Sequence, residues 1–167
     1  MLVFSEGRAL PLLQSSSAIT RAGAIYEVGD ISDDEAKKWL MNEYKVEPER
    51  AAALVAQVAG GRFPLLRMCG SSSKPVDAIS EELANTTELD LLKVGVSPTA
   101  PLFRALLRRS RIKMAAAQQL LAESKLQALL SANILSAHPD RTYTFHVRHV
   151  ACFMARAAAK RRWWRWL

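Results

Sequence analysis

From Ile31 onward, apolar residues recur at the three- and four-residue intervals that are typical of amphipathic helices. Ser32 is followed three positions later by Glu35, which predicts a capping box, since each side chain then satisfies the other's free backbone N–H. Ala36 and Leu40 fall on one face of the helix that follows. The pattern therefore predicts a helix that begins just after Ser32.

Further helices are predicted between residues 48 and 95. Pro48 stands where a proline is tolerated in a first helical turn, and Gly60-Gly61 ends the helix that Pro48 begins. Residues 62–68 form a short helix candidate, and Pro75 begins a longer helix that fades near Gly95. This stretch predicts a helical bundle.

The first thirty residues show a different pattern. Leu2-Val3-Phe4 is a short apolar run that stops at Ser5-Glu6-Gly7, and a second run, 24–28, stops at Gly29-Asp30. A helix-like piece lies between them. Two strands separated by such a piece predict the edge of a parallel α/β sheet, although two strands are too few to be stable alone.

The last seventy residues predict a second unit. Helical spacing appears in three segments, with Ser124 as a candidate cap before the third: 102–107, 115–121 and 126–130. The alternation of Tyr143 and Phe145 after the turn at Pro139-Asp140 predicts a hairpin. Three helices followed by a hairpin are the parts of a winged helix-turn-helix.

Composition excludes a disordered chain, because 50% of the 167 residues are hydrophobic and 23% are charged. Two cysteines, Cys69 and Cys152, cannot form a disulfide scaffold. The N-terminal apolar stretch lacks a preceding basic region, and no apolar run approaches the ~18 residues of a membrane helix. We therefore expect an intracellular protein, cytoplasmic or nuclear.

Charge is unevenly distributed, although the net charge is +7. Residues 27–49 hold eight acidic and three basic side chains. Basic side chains gather in two places, the first formed by Arg104, Arg108, Arg109, Arg111 and Lys113 and the second by Arg156, Lys160, Arg161, Arg162 and Arg165. A protein that wraps nucleic acid with a uniformly basic surface would not show this pattern, so each basic patch needs its own explanation.

The order of short motifs resembles the C-terminal part of a P-loop ATPase of the AAA+/STAND type. Ser5 follows a predicted strand, as does the sensor residue of that family, and Arg21 stands just before the next strand. The run Glu27–Ala36 is similar to the family's junction into a helical lid. The segment Gly60–Leu66, with the sequence GGRFPLL, resembles the lid motif that approaches the nucleotide.

The resemblance implies roles for these residues. Ser5 would orient water or the γ-phosphate, and Arg21 would stabilise phosphate charge within the chain or toward a neighbouring subunit. Gly60, Gly61, Arg62 and Pro64 would close over the nucleotide, with Arg62 meeting phosphate at a helix start. Ser5 as a turn residue and the arginines as solvated side chains remain the simpler alternative.

Two parts of such an ATPase are missing from the sequence. It contains no G-x-x-x-x-G-K-[ST] loop and no apolar strand that ends in paired acids. We therefore expect a C-terminal fragment, a degenerate copy or a truncated product that hydrolyses no ATP alone. ATP and magnesium would bind only with a missing N-terminal half or another ATPase subunit, and no cofactor is expected for this chain alone.

The predicted fold class is mainly α (α+β), in four parts. They are an α/β core remnant (1–30), a helical lid (31–95), a winged-helix-like domain (96–154) and a basic, Trp-rich tail (155–167). The alternative is a free-standing winged-helix protein that binds DNA through the basic block Arg104–Lys113. That block could equally be a solvated face or a protein contact.

Two other features allow alternatives. His146, His149 and Cys152 have ligand spacing, but zinc needs four ligands, so ordinary histidines on a boundary helix are favoured and no metal is predicted. The tail contains three tryptophans among cations. It would suit an anionic membrane interface, nucleic acid or nuclear import, or it has no selected role.

Overall fold

The computed structural model describes residues 29–163, with side chains through residue 160. Within that range the chain is mainly helical, as the sequence predicts. The helices are α1 (Asp33–Tyr44), α2 (Pro48–Leu54), α3 (Phe63–Ser71), α4 (Val76–Val94), α5 (Pro101–Arg109), α6 (Met114–Leu120), α7 (Glu123–Ser131) and α8 (Arg148–Trp163). The strands are β1 (Ile112–Lys113), β2 (Leu135–His138) and β3 (Thr142–Phe145).

The start of α1 is fixed by the predicted capping box. The Glu35 carboxylate accepts hydrogen bonds from the Ser32 amide at 3.0 Å and from the Ser32 hydroxyl at 2.6 Å. The Ser32 hydroxyl accepts in turn from the Glu35 amide at 3.3 Å. These bonds with Ser32 lower the pKa of Glu35, so the carboxylate is charged where the helix dipole favours a negative group.

A first hydrophobic core is formed by α1 to α3 and the beginning of α4. Its buried residues are Ala36, Leu40, Ala51, Leu54, Val55, Val58, Ala59, Leu66, Cys69 and Ile79. The helix that Pro48 begins does not end regularly, because α2 continues into a π-helical turn at Val55–Ala59. Gly60 and Gly61 then stop it, as predicted.

A second core is formed by the end of α4 and by everything from α5 to α8. The largest fully buried side chains in it are Leu91, Leu102, Phe103, Leu106, Leu126, Leu129, Ile134, Leu135 and Met154. Helix α8 joins the two cores, since it buries Val150 and Met154 in the second while Arg156 donates to Ser80 Oγ on α4 at 2.8 Å.

The strands form a three-stranded antiparallel sheet in the order β1-β3-β2. Ile112 pairs with Tyr143, which pairs with Ala137, and all three are buried in the second core. The neighbouring row, Lys113, Thr142 and His138, belongs to the opposite face because side chains alternate along a strand. The predicted hairpin is confirmed as β2 and β3.

Some details differ from the sequence predictions. Ser124 is not a cap: it lies inside α7, whose N-cap is Ala122, a residue without a side-chain hydrogen bond. β1 is a strand of two residues that hydrophobic alternation cannot reveal. Helix α8 runs through residue 154, where the sequence suggested a boundary. The predicted strands at 2–4 and 24–28 and the end of the tail lie outside the described residues.

Between residues 29 and 163, no helix combines the length and the apolar content that crossing a bilayer would require.

Replacing Ser32 by Ala should lower the free energy of unfolding by about 1 kcal/mol, because the first turn of α1 loses its cap. Urea denaturation followed by circular dichroism measures the change. The matched control is Ser73→Ala, at an exposed serine outside any helix. Equal stability of the two variants would contradict the role given to the capping box.

Candidate functional site

The segment Gly60-Gly61 requires glycine at both positions. Gly60 has φ +55° and ψ −138°, a backbone conformation that side chains disfavour. At Gly61, an added Cβ would stand 1.7 Å from the carbonyl oxygen of Ile31. The Ile31 amide donates to the Gly61 carbonyl at 3.2 Å, so the chain entering α1 lies directly against this turn.

Arg62 lies between two partners from distant parts of the chain. Its Nε donates to Asp30 Oδ1 at 3.3 Å, and its guanidinium Nη1 lies 2.7 Å from His146 Nε2. Since a guanidinium can only donate, His146 Nε2 must accept, which leaves the ring proton on Nδ1. His146 Nδ1 donates this proton to Ser136 Oγ, and the two heavy atoms are 2.7 Å apart.

This arrangement requires a neutral imidazole. Burial, the charge of Arg62 and the nearby His149 together lower the pKa of His146 to about 4. Burial also lowers the pKa of His149 to about 4. The Nδ1 atom of His149 is buried and has no hydrogen-bond partner among the described residues. Both rings are therefore uncharged at neutral pH.

Arg148, the first residue of α8, makes a second connection to the start of α1. Its Nη2 donates to both carboxylate oxygens of Asp33, at 2.9 and 3.0 Å. A Cβ added at Gly60 would lie 3.4 Å from Arg148 Cβ. The glycine turn, the start of α1 and the start of α8 therefore meet at one place.

These elements surround a cleft of about 460 Å³, within the range of small-molecule sites. Gly60 and Gly61 form part of it. Its apolar side is formed by Leu106, Leu107, Phe145, Val147 and Ala151. Its polar side is formed by Asp30, Asp33, Ser110, Thr144, His146 and Arg148. The cleft is open to solvent, and its lining combines an apolar side with a charged side.

The sequence-predicted residues are only partly brought together. Gly60 and Gly61 line the cleft, and Arg62 reaches it through Asp30 and His146. Pro64 lies in the first turn of α3 and is exposed, outside the lining of the cleft. Ser5 and Arg21 lie outside the described residues.

The cations of the basic block Arg104–Lys113 lie outside the lining of the cleft, although Leu106, Leu107 and Ser110 of the same segment belong to it. Arg104, Arg108, Arg109, Arg111 and Lys113 are all exposed, and none of them lines the cleft. Arg111 Nη1 is 2.6 Å from Asp140 Oδ2. The block and the glycine turn are thus separate features.

Sequence reasoning missed the contributions of Asp33, His146 and Arg148 to the cleft. The sequence pattern singles out His146 only by its spacing to His149 and Cys152. Cys152 Sγ instead contacts the Ala56 carbonyl at 3.8 Å, and the described residues contain no group of three candidate ligands for a metal. Comparisons with family models, curated proteins and solved structures found no match.

Gly61→Ala should destabilise the protein by about 2–4 kcal/mol, because the new methyl group meets a backbone carbonyl that cannot rotate away. Chemical denaturation measures the loss. Gly29→Ala is the matched control, since nothing lies within 4 Å of its added Cβ. A Gly61→Ala variant within about 0.5 kcal/mol of wild type would contradict the close approach of Ile31.

Acidification should destabilise the fold before the carboxylates titrate. Between the ordinary histidine pKa of 6.5 and the folded value of about 4, the unfolded chain binds more protons than the folded chain at His146 and His149. Stability therefore falls as pH falls through this window, by about 2–4 kcal/mol from pH 7 to pH 5.

Imidazole resonances followed by NMR test this directly, with midpoints expected near pH 4 for His146 and His149. His149→Gln should reduce the loss of stability between pH 7 and 5. Midpoints near 6.5 would show that the rings are not buried as described.

Proposed function

We propose that this chain is the C-terminal part of an AAA+/STAND-type P-loop ATPase that contributes a helical lid and a winged helix to ATP-dependent conformational switching. The observation that carries the proposal is the position of Gly60-Gly61. This turn lies in the cleft where the first helical unit meets the second, beside Arg148. A lid motif that approaches a nucleotide needs nearby cations, and Arg148 supplies one, although Gly60 and Gly61 are themselves buried.

The order of elements after Gly95 supports the winged-helix part of the proposal. α5, β1, α6 and α7 precede the hairpin of β2 and β3, and β1 adds to the free side of β3. In the proposed winged helix, α6 and α7 would be the helix-turn-helix and the hairpin would be the wing.

A nucleotide phosphate on the lid side would have to replace Asp30 and Asp33, the two carboxylates that line the cleft beside Arg148. Arg148 and Arg62 would hold phosphate oxygens, and the apolar side of the cleft would face the rest of the nucleotide. Both arginines are now paired with carboxylates, Asp33 and Asp30, which occupy the positions that a phosphate would take. Such partly exposed pairs contribute only about 0–1 kcal/mol, so an anion can compete with them.

Competition between Asp33 and a phosphate for Arg148 would change how the start of α1 is held to the start of α8. Asp33 holds Arg148 and thereby ties the start of α1 to the start of α8. A bound nucleotide supplies concentrated negative charge, and removal of that charge lets Asp33 recover Arg148. The chain's own residues would thus alternate between an internal carboxylate and an external anion.

Hydrolysis needs groups that this sequence does not contain. A phosphate loop and magnesium ligands would have to come from a nucleotide-binding half supplied elsewhere. Ser5 and Arg21 stay predictions for the orienting and charge-stabilising roles. A winged-helix nucleic-acid binder is the second candidate function, and the exposed block Arg104–Lys113 favours it.

Titration of the chain with ADP should shift the backbone amide resonances of Gly60, Gly61 and Arg148, with weak affinity on the order of 1 mM because half of the site is missing. Arg148→Gln should abolish these shifts. The matched control is Arg156→Gln on the same helix, which removes one arginine bonded to Ser80, away from the cleft.

Shifts confined to Arg111, Lys113 and Arg141, which lie outside the lining of the cleft, or shifts unaffected by Arg148→Gln, would contradict nucleotide binding in the cleft. Adenosine is the second ligand in this test, and it should cause smaller shifts because it has no phosphate. Genomic sequence upstream of Met1 is an independent check, since an in-frame G-x-x-x-x-G-K-[ST] loop supports the ATPase assignment.

A further inference from the structure

Six exposed cations of the second unit belong to neighbouring elements, and we call this set the cationic edge. It comprises Arg104, Arg108, Arg109, Arg111, Lys113 and Arg141, all exposed. Three backbone features join them: β1 directly follows α5, Lys113 pairs with Thr142 in the sheet, and the Met114 amide donates to the Arg141 carbonyl at 2.9 Å. Arg141, in the β2–β3 turn, therefore extends the basic block that the sequence shows.

The charge of the cationic edge is barely neutralised within the described residues. Asp140 pairs with Arg111 and also accepts a hydrogen bond from Thr142. In this part of the chain the side chains of Arg108, Arg109 and Lys113 make no ion pair. Arginine donors in a planar fork suit phosphate oxygens in particular.

The absence of apolar anchors distinguishes between anionic partners. The apolar face of α5 is used up in the core, since Leu102, Phe103 and Leu106 are buried. The large hydrophobic side chains that are exposed among the described residues lie elsewhere: Met41, Phe63, Met68, Leu89, Leu92 and Leu120. Membrane-surface helices insert an apolar face, and protein interfaces need buried aromatic or aliphatic anchors. A nucleic-acid backbone needs neither.

Helix α7, the second helix of the helix-turn-helix arrangement, is poorly suited to read bases. Glu123 in its first turn accepts hydrogen bonds from Gln118 and Gln127, which lower its pKa and keep it charged. Lys125 is engaged with the Gly95 carbonyl at 2.6 Å. A charged carboxylate at the N-terminal end of α7 would repel the phosphates that border a groove, because like charges repel.

We propose that the cationic edge binds the phosphodiester backbone of double-stranded nucleic acid without sequence preference, with the β2–β3 turn and the end of α5 on the phosphates and α7 turned away from the bases. The proposal rests on the second candidate function, the nucleic-acid binder, and not on the nucleotide cleft, whose lining contains none of these cations.

Fluorescence anisotropy with the full chain tests this on two unrelated DNA duplexes and one RNA duplex of about 20 base pairs. The triple variant R108Q/R109Q/K113Q should bind at least about tenfold more weakly at about 100 mM salt. Its plot of log affinity against log salt should flatten by about one unit for each cation removed.

The matched control is K38Q/K45Q/R67Q, which removes the same charge from exposed positions of the first unit. It should change affinity less than about twofold, since these cations lie outside the cationic edge. Both variants leave the C-terminal cations intact.

Equal weakening by both triple variants would overturn the proposal, because binding would then follow overall charge. A preference of more than about tenfold between the two DNA duplexes would overturn the lack of base reading. Sedimentation with vesicles containing anionic lipid is the last arm. Vesicle binding that depends on Arg108, Arg109 and Lys113, without duplex binding, would assign the surface to membranes instead. Tighter binding of the DNA duplexes or of the RNA duplex would show which of the two nucleic acids the cationic edge prefers.

Discussion

The contact between the backbones of Ile31 and Gly61 is the constraint on which the rest of the cleft depends. Because Gly61 has no side chain, the segment leading into α1 can reach the turn that ends the π-helical stretch. That approach brings Asp30 to Arg62 and Asp33 to Arg148. Two glycines thus determine where the charges of four other side chains meet.

Local patterns were sufficient to predict the helices and the hairpin. Periodicity, the capping box at Ser32 and the double glycine are all encoded in short segments of sequence. The cleft was not predictable in this way, because Arg62 and His146 are 84 positions apart and no spacing rule connects them. The strand β1 was missed because its two residues are held by pairing to β3 and not by their own alternation. At Ser124 a favourable cap residue was overridden by packing of Leu126 and Leu129.

Polar contacts connect the two hydrophobic cores at the cleft. Arg62, Asp33, His146 and Arg148 meet there, each partly exposed or only half-buried. These contacts add to a connection that continuous helices already make, since α4 contributes Ile79 to the first core and Leu91 to the second. The contact between Arg62 and His146 depends on a neutral imidazole, because a second positive charge beside Arg62 would weaken it.

The π-helical turn at Val55–Ala59 has a consequence for how insertions and deletions are tolerated. A π-turn holds one more residue than the α-helix from which it derives. Loss of a single residue from it would restore the α-helical hydrogen-bond pattern with little change in the direction that later residues face, because the π-turn absorbs its extra residue by widening. Loss of a second residue would shorten the α-helix itself and rotate everything beyond it by about 100° around the helix axis. Gly61 would then face away from Ile31, so this turn can lose one residue and no more.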